Sequence, residues 1–448
     1  MSSHTGYWTS RFGFLMASIG FAVGLGNIWR FPYMVGENGG SVFIVIYLLC
    51  AFLIGVPILM AEIMIGRRGL APPEMAMENV ATESSLSTNW RMVGHLNLLT
   101  AFLILFVYSV VAGWVLFYFF QSLVSCVSGV GLLDQVGSFE VLQSDLVSLI
   151  FWSFLALAMT ATILVFGVEK GIERVVTLLI PTLVLLLLVL AAFNVLNGGM
   201  SEAIEYMFLP DFDEVRPGIF LAAVSQAFFS IGVAMGGMMV FGSYLPTNVS
   251  IGRSAVMIVS ADTMIALLAG LVIFPLVFDN NLAPDSGTGL IFNTLPLAFE
   301  QVPFGRWVGL LFFLLLSMAA ITSMVGFMEP IVASLIRRFQ WTRTVSTILV
   351  SLCCFVFSIF SALSMSLWRE SSVYGRSISD WLDFVPNSIL LPLGGLLICI
   401  FAGWYMQPKY AKEELSLDSE LVFSSWRMSM KWLVAPVVLM ILITGVVA

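Results

Sequence analysis

Three glycines and an asparagine interrupt an apolar run long enough to cross a bilayer: Gly20-Phe-Ala22-Val23-Gly24-Leu25-Gly26-Asn27, within residues 11–35. A helix tolerates lipid because it satisfies its own backbone hydrogen bonds. A segment that invites unwinding therefore belongs where freed carbonyls face protein, water or an ion. That makes Ala22 to Asn27 a candidate binding site. A second interruption, Gly232-Val-Ala234-Met235-Gly236-Gly237, falls in another apolar run about two hundred residues later. Paired broken helices at corresponding places in two halves of a chain point to a secondary transporter built from inverted repeats.

Hydrophobic residues make up 59% of the 448 residues, charged residues only 10%, and the mean hydropathy is +1.01. These values exclude a water-soluble domain with one core. The expected class is an all-α polytopic membrane protein. Windows of about twenty apolar residues give about eleven spans, near 11–35, 41–66, 92–125, 147–166, 172–194, 217–244, 253–278, 304–336, 344–367, 382–405 and 429–447. If the amino terminus is cytoplasmic, the inner loops collect most of the Lys and Arg, and the outer side holds only Arg30, Arg216, Arg306, Arg369 and Arg376. Orientation is expected to follow, in a cell inner (plasma) membrane, with the carboxyl terminus after the last span outside.

The net charge of −8 arises from acids such as Asp134, Glu140, Asp145, Glu202, Glu205 and Asp211 in expected outer loops, and carries no implication of a nucleic-acid or acidic partner. The opening MSSHTGYWTSR lacks the flank and cleavage site of a signal peptide, so the first span is expected to be retained. Cys50, Cys126, Cys353, Cys354 and Cys399 show no metal-ligand spacing and read as packing residues. The longest expected outer connections are 126–146, 195–216 and 279–303, the last suited to a re-entrant cap. The whole chain, 1–448, reads as one transmembrane domain with no obligate protein partner. No nucleophile, base and orienting group cluster in the spans, so the chain does not read as an enzyme.

The run from Arg11 through Gly20-Phe-Ala-Val-Gly-Leu-Gly-Asn-Ile-Trp-Arg-Phe-Pro32, followed by Glu37-Asn-Gly-Gly40 and Pro57 to Gly66, closely resembles the opening of the neurotransmitter:sodium symporter family, especially its bacterial amino-acid transporters. Tyr108, Gln226-Ala-Phe-Phe229-Ser230, Ser243-Tyr244, Ala319-Ala-Ile-Thr322-Ser323 and Asp383-Phe extend the resemblance over nearly the whole chain. The resemblance implies a 5+5 inverted repeat of the leucine-transporter type, with repeats about 11–194 and 217–405, helices 1 and 6 broken, and an extra helix at 429–447.

It also implies two sodium sites. The first would use the Ala22 carbonyl, the Asn27 amide oxygen, Ser230 and Asp262, completed by a substrate carboxylate. The second would use carbonyls of Gly20, Val23 and Ala319 with the hydroxyls of Thr322 and Ser323. Na⁺ is a hard cation, and unwound backbone supplies oxygen ligands without extra buried charge. Read alone, Thr322 and Ser323 are equally hydroxyls that bond their own helix carbonyls.

Amine carriers of the family place an aspartate where this chain has Gly24, so a neutral amino acid fits better. Its carboxylate would meet the half-helix amides near Leu25 and Gly26. Its ammonium would meet carbonyls of the second break, and its side chain would lie among Ile104, Tyr108, Phe229, Gly232, Met235, Ser323 and Phe327. Gly232 adds room and Phe327 removes it, which favours leucine, methionine or an aromatic substrate. The alternative is another small zwitterion such as taurine, creatine or a betaine-like osmolyte.

Animal relatives hold chloride through residues matching Tyr47, Gln226, Ser230, an asparagine and a serine; here the last two are Asp262 and Ala266. A fixed carboxylate supplies that charge, so no chloride requirement is expected. Glu62 reads as structural. Arg30 and Asp383 match the outer gate pair, above a lid formed by Phe229 and Tyr108. At the inner gate Trp8 is present, but Thr5 and Arg337 occupy the positions of the usual ion pair, so either His4 or another contact substitutes or the inner side opens more easily.

Overall fold

The computed structural model describes residues 7–132, 139–209, 218–279, 289–417 and 419–447. Among these, nine helices are long and apolar enough to cross a membrane: Ser41–Gly69, Thr88–Ser128, Leu146–Val165, Val168–Leu196, Ile251–Asp279, Gly305–Phe339, Arg343–Met365, Ile378–Tyr405 and Glu420–Val446. A tenth span is broken: Arg11–Ala22 and Gly26–Glu37 meet at a 52° bend. Ser10 opens this span, its hydroxyl accepting the Gly13 N–H as an N-cap. The helix stops where Val23 turns extended, φ −74° and ψ 98°, and a wider π-helical turn at Gly26–Arg30 restarts it.

The stretch expected to span 217–244 is two short helices, Ile219–Ile231 and Gly237–Ser243. Between them Gly232, Ala234 and Gly236 take φ of 71°, 63° and 76°. Glycine adopts such left-handed backbone freely, whereas Ala234 needs support from its surroundings. Buried Glu62, on helix Ser41–Gly69, accepts the Ala234 N–H. That bond gives Glu62 the structural role its sequence position suggested.

Helix Gly305–Phe339 is the centre of the packing: 83% of its apolar window is buried, against 28% for Leu146–Val165, Val168–Leu196 and Glu420–Val446. It packs along Thr88–Ser128 and against both Arg11–Ala22 and Val168–Leu196. The outer three helices instead leave apolar side chains such as Phe151, Leu185 and Trp432 exposed, as lipid contact requires. Of the expected re-entrant cap, residues 280–288 lie outside the described residues. The helical segment Leu290–Gln301 packs on the central helix, where the Phe292 ring lies 5.1 Å from Tyr118 and 4.8 Å from Phe139. Asp134, Asp211 and Arg216 lie outside the described residues. Strand pairing among the described residues is one antiparallel pair of two-residue strands, Ser372–Val373 with Arg376–Ser377.

Candidate functional site

The two interruptions meet. Asn27, at the restart of the first span, donates from Nδ2 to Ser230 Oγ at 3.1 Å and to Asp262 Oδ1 at 2.7 Å. Its Oδ1 turns back to accept the Gly24 N–H at 3.1 Å, so the amide oxygen faces the break. Asp262 is fully buried, and its Oδ2 accepts from Ser230 Oγ at 2.7 Å and from Tyr47 Oη at 3.4 Å. Gln226 Nε2 donates to the Gly26 carbonyl at 3.0 Å. A buried carboxylate is costly unless paired or hydrogen-bonded, and here both its oxygens are met by donors.

On the opposite side of the break, Ser323 Oγ lies 3.3 Å from the Phe21 carbonyl and 3.4 Å from that of Val23. Thr322 Oγ1 lies 3.0 Å from the Ala319 carbonyl, and a Cβ at Gly20 would stand 3.4 Å from Thr322 Cβ. Gly20, Val23, Ala319, Thr322 and Ser323 are thus gathered at one place, with hydroxyl and carbonyl oxygens and no formal charge. Thr322 also bonds the Met318 carbonyl at 3.1 Å, as a hydroxyl in a membrane helix does.

Gly24 and Gly26 are positions of close approach. A Cβ at Gly24 would meet Ser323 Oγ at 2.5 Å and Tyr108 Oη at 3.0 Å; one at Gly26 would meet the Phe229 ring at 2.9 Å. Tyr108 Oη accepts the Leu25 N–H at 3.2 Å. The Phe327 ring packs edge-on to Tyr108 at 5.5 Å and to Phe21 at 5.3 Å. Ala22 and Met235 are buried at their respective interruptions, and Gly232 abuts Phe21.

A cavity of about 650 Å³ opens onto this junction. Leu25, Gly26, Ile104, Tyr108 and Phe229 form its deep end, and Arg30 and Asp383 stand in its walls. The Arg30 guanidinium lies over the Phe229 ring at 4.6 Å, and Asp383 Oδ1 accepts from Asn387 Nδ2 at 2.7 Å. Among the described residues no ion pair within 4.0 Å joins Arg30 to Asp383.

The far end of the first span is closed by other contacts. Trp8 is buried and donates Nε1 to the Phe241 carbonyl at 2.9 Å. His4 and Thr5 lie outside the described residues, and Arg337 is exposed. A different ion pair is present instead: Arg343 pairs with buried Glu329, whose Oε1 also accepts from Tyr244 Oη at 2.9 Å. Sequence reasoning missed this group because Glu329 sits in an apolar run beside Pro330, where an acid reads as an isolated oddity. Phe21 was missed too. Its signal was indirect, since Gly232, Gly237 and Gly326 all lack the Cβ that would strike its ring.

The family described as the sodium:neurotransmitter symporter family matches residues 5–128 and 142–448 of this chain. YhdH, an uncharacterised sodium-dependent transporter of Bacillus subtilis (strain 168), is 34% identical over 415 residues, covering 91% of this chain and 89% of the relative. An uncharacterised sodium-dependent transporter of Haemophilus influenzae is 30% identical over 449 residues, covering 98% and 97%. The crystal structure of MhsT in complex with L-phenylalanine is similar at a TM-score of 0.90 and 37% identity, over 98% of this chain and 99% of that one.

Proposed function

This chain belongs to the sodium:neurotransmitter symporter family and is a multi-pass, sodium-coupled secondary transporter; from that premise we propose that it imports a neutral L-amino acid with an apolar or aromatic side chain. The observation that carries the substrate class is Gly24: no anion stands in the first break to pair with a lone ammonium, and the amino end of the half-helix that restarts at Gly26 suits a carboxylate. The likeness to a phenylalanine complex supports the same reading.

Two sodium ions travel with the substrate. The first lies among the Ala22 carbonyl, Asn27 Oδ1, Ser230 and Asp262, completed by the substrate carboxylate. The second lies among the oxygens of Gly20, Val23, Ala319, Thr322 and Ser323. The convergence of those oxygens around the first break supports both assignments, and a hard cation suits such donors. The substrate side chain lies among Ile104, Tyr108, Phe229, Gly232, Met235, Ser323 and Phe327. Asp262 supplies the negative charge, so chloride is not required.

Helices Ile219–Ile231 and Gly237–Ser243 together make one span broken in its middle, which with the other ten gives eleven. The spans of 11–194 and 217–405 are two inverted repeats, and 429–447 is an additional helix. The Trp8 end faces the cytoplasm and the Arg30 end the outside. The lysines and arginines gathered near the Trp8 end support this orientation. Alternating access then moves the substrate from the Arg30 cavity to the Trp8 side.

A thermal-shift screen of the twenty amino acids and common osmolytes, each in Na⁺ and in K⁺, tests the proposal, because a ligand stabilises only the state it binds. Leucine, methionine or an aromatic amino acid should raise the melting temperature in Na⁺ and not in K⁺. Stabilisation by taurine, creatine or a betaine alone would overturn the substrate assignment.

A further inference from the structure

The carboxylate of Glu173 accepts three hydrogen bonds from the segment that leads into the first span. They come from the Thr9 N–H at 2.9 Å, Thr9 Oγ1 at 2.5 Å and Ser10 Oγ at 3.0 Å. Ser10 accepts the Gly13 N–H at 2.9 Å, so the residue that caps helix Arg11–Ala22 is itself held by Glu173. A Cβ at Gly13 would stand 2.0 Å from Glu173 Oε1. Glycine at 13 is therefore the seat of the carboxylate, an observation independent of the hydrogen bonds. Glu173 is buried at the start of helix Val168–Leu196, which packs against both Arg11–Ala22 and the central helix Gly305–Phe339.

We propose that Glu173 is a positioning residue for transport, a latch that holds the amino end of the first span closed on the Trp8 side. The inference rests on the reading that this end opens to release substrate. All three donors lie on residues 9 and 10, directly after buried Trp8. Swinging the start of the first span away from the bundle breaks all of these bonds together. Hydrogen bonds to an ionised acceptor are about twice as strong as neutral ones, so the set outweighs an equal number of ordinary caps. The same helix carries the carbonyls of Gly20 and Ala22 and runs directly into Val23, so its amino end moves together with these proposed sodium ligands. An amide at 173 keeps the volume, removes the charge and turns an NH₂ toward donors.

The test uses the full chain with its five native cysteines replaced and Ser18→Cys as reporter, since Ser18 is fully buried on the first span. Maleimide labelling is followed in Na⁺ and in K⁺, and the midpoint of sodium stabilisation is measured beside it. Glu173→Gln should speed labelling in K⁺ by about tenfold or more and raise the sodium midpoint by a similar factor, as a shifted closed-to-open equilibrium requires. Glu173→Asp should restore part of both. Gly13→Ala should reproduce the Gln phenotype by displacing the carboxylate. Thr9→Val should add less to Glu173→Gln than to the parent. If Glu173→Gln does not fold, Thr9→Val and Gly13→Ala carry the test. Faster labelling that is indifferent to sodium supports the latch and removes its coupling to the proposed sodium sites. Sodium-sensitive labelling that none of these variants changes overturns the latch and leaves those sites standing.

Discussion

Asn27 and Asp262, 235 residues apart in sequence, are joined side chain to side chain, the amide donating to Oδ1 at 2.7 Å and also to the Asp262 carbonyl at 3.0 Å. With Ser230 and Tyr47 on the other oxygen, the carboxylate sits in a ring of donors that would equally hold a small anion. Sodium-dependent uptake into reconstituted vesicles should therefore be unchanged when gluconate replaces chloride. Asp262→Asn removes the charge and a charge-assisted bond, a loss of about 1.5–3 kcal/mol, so uptake without chloride should fall by about tenfold or more, and added chloride should restore part of it. Strong loss of parent uptake in gluconate, or an Asn variant fully active without chloride, refutes the charge-replacement reading.

Sodium and substrate should bind cooperatively if, as proposed, the substrate carboxylate completes the first sodium site. Linkage requires each to tighten the other by the same factor. Binding of labelled substrate should strengthen with sodium and be lost in choline. Asn27→Ala should abolish that dependence and disturb Asp262 as well. Ser323→Ala, which removes one of five proposed neutral ligands, should weaken sodium affinity by about tenfold, near the value of one hydrogen bond to a charged group.

Gly24→Ala tests the shape of the first break. The added methyl would press on Ser323 Oγ at 2.5 Å and Tyr108 Oη at 3.0 Å. Overpacking of this kind costs about 1–3 kcal/mol. The variant should remain folded by size-exclusion chromatography while substrate affinity drops about tenfold or more. Adding Ser323→Ala should relieve the fold strain without restoring sodium binding.

The first break was legible because three glycines in an apolar run violate what a lipid-crossing helix needs, and the bend between Ala22 and Gly26 lies where those glycines are. At the second glycine cluster the left-handed backbone of Ala234, φ 63°, could be understood only once Glu62 was seen to hold its N–H. Long-range polar partners were not legible. Periodicity marks a face of a helix and does not name the residue opposite it, so the Glu329 to Arg343 pair and the Glu173 cap on Thr9 and Ser10 emerge only from packing. Arg30 and Asp383 were matched as a gate pair by resemblance, and both stand in the cavity wall with no ion pair within 4.0 Å between them.

That separation bears on how a gate formed by these two residues would work. Arg30 rests on Phe229 at 4.6 Å, and Asp383 bonds Asn387. The pair should form only when the cavity closes over substrate. Exposed pairs contribute about 0–1 kcal/mol to stability, so Asp383→Ala should melt within a few degrees of the parent yet impair uptake several-fold, with binding from detergent solution less affected than transport. Normal uptake by this variant would reduce both residues to vestibule charges.

Phe21 offers the sharpest packing test. Its ring fills space left by three glycines: a Cβ at Gly326 would lie 2.0 Å from it, at Gly237 2.4 Å and at Gly232 3.1 Å. Phe327, edge-on to Phe21 at 5.3 Å, links the ring to Tyr108 and so to the cavity. Gly326→Ala should destabilise by about 1–3 kcal/mol through overpacking, and Phe21→Ala by about 3–5 kcal/mol through the void it leaves. If the glycines exist to house this ring, the two changes share one space. The double variant should then be more stable than the sum of the single losses, read as apparent melting temperature in a double-mutant cycle. Phe21→Ala should also shift relative affinity from leucine toward tryptophan, since the void adjoins Phe327, a residue of the proposed substrate site. Additive losses with an unchanged substrate order would mean that Phe21 packs against the glycines without shaping the pocket.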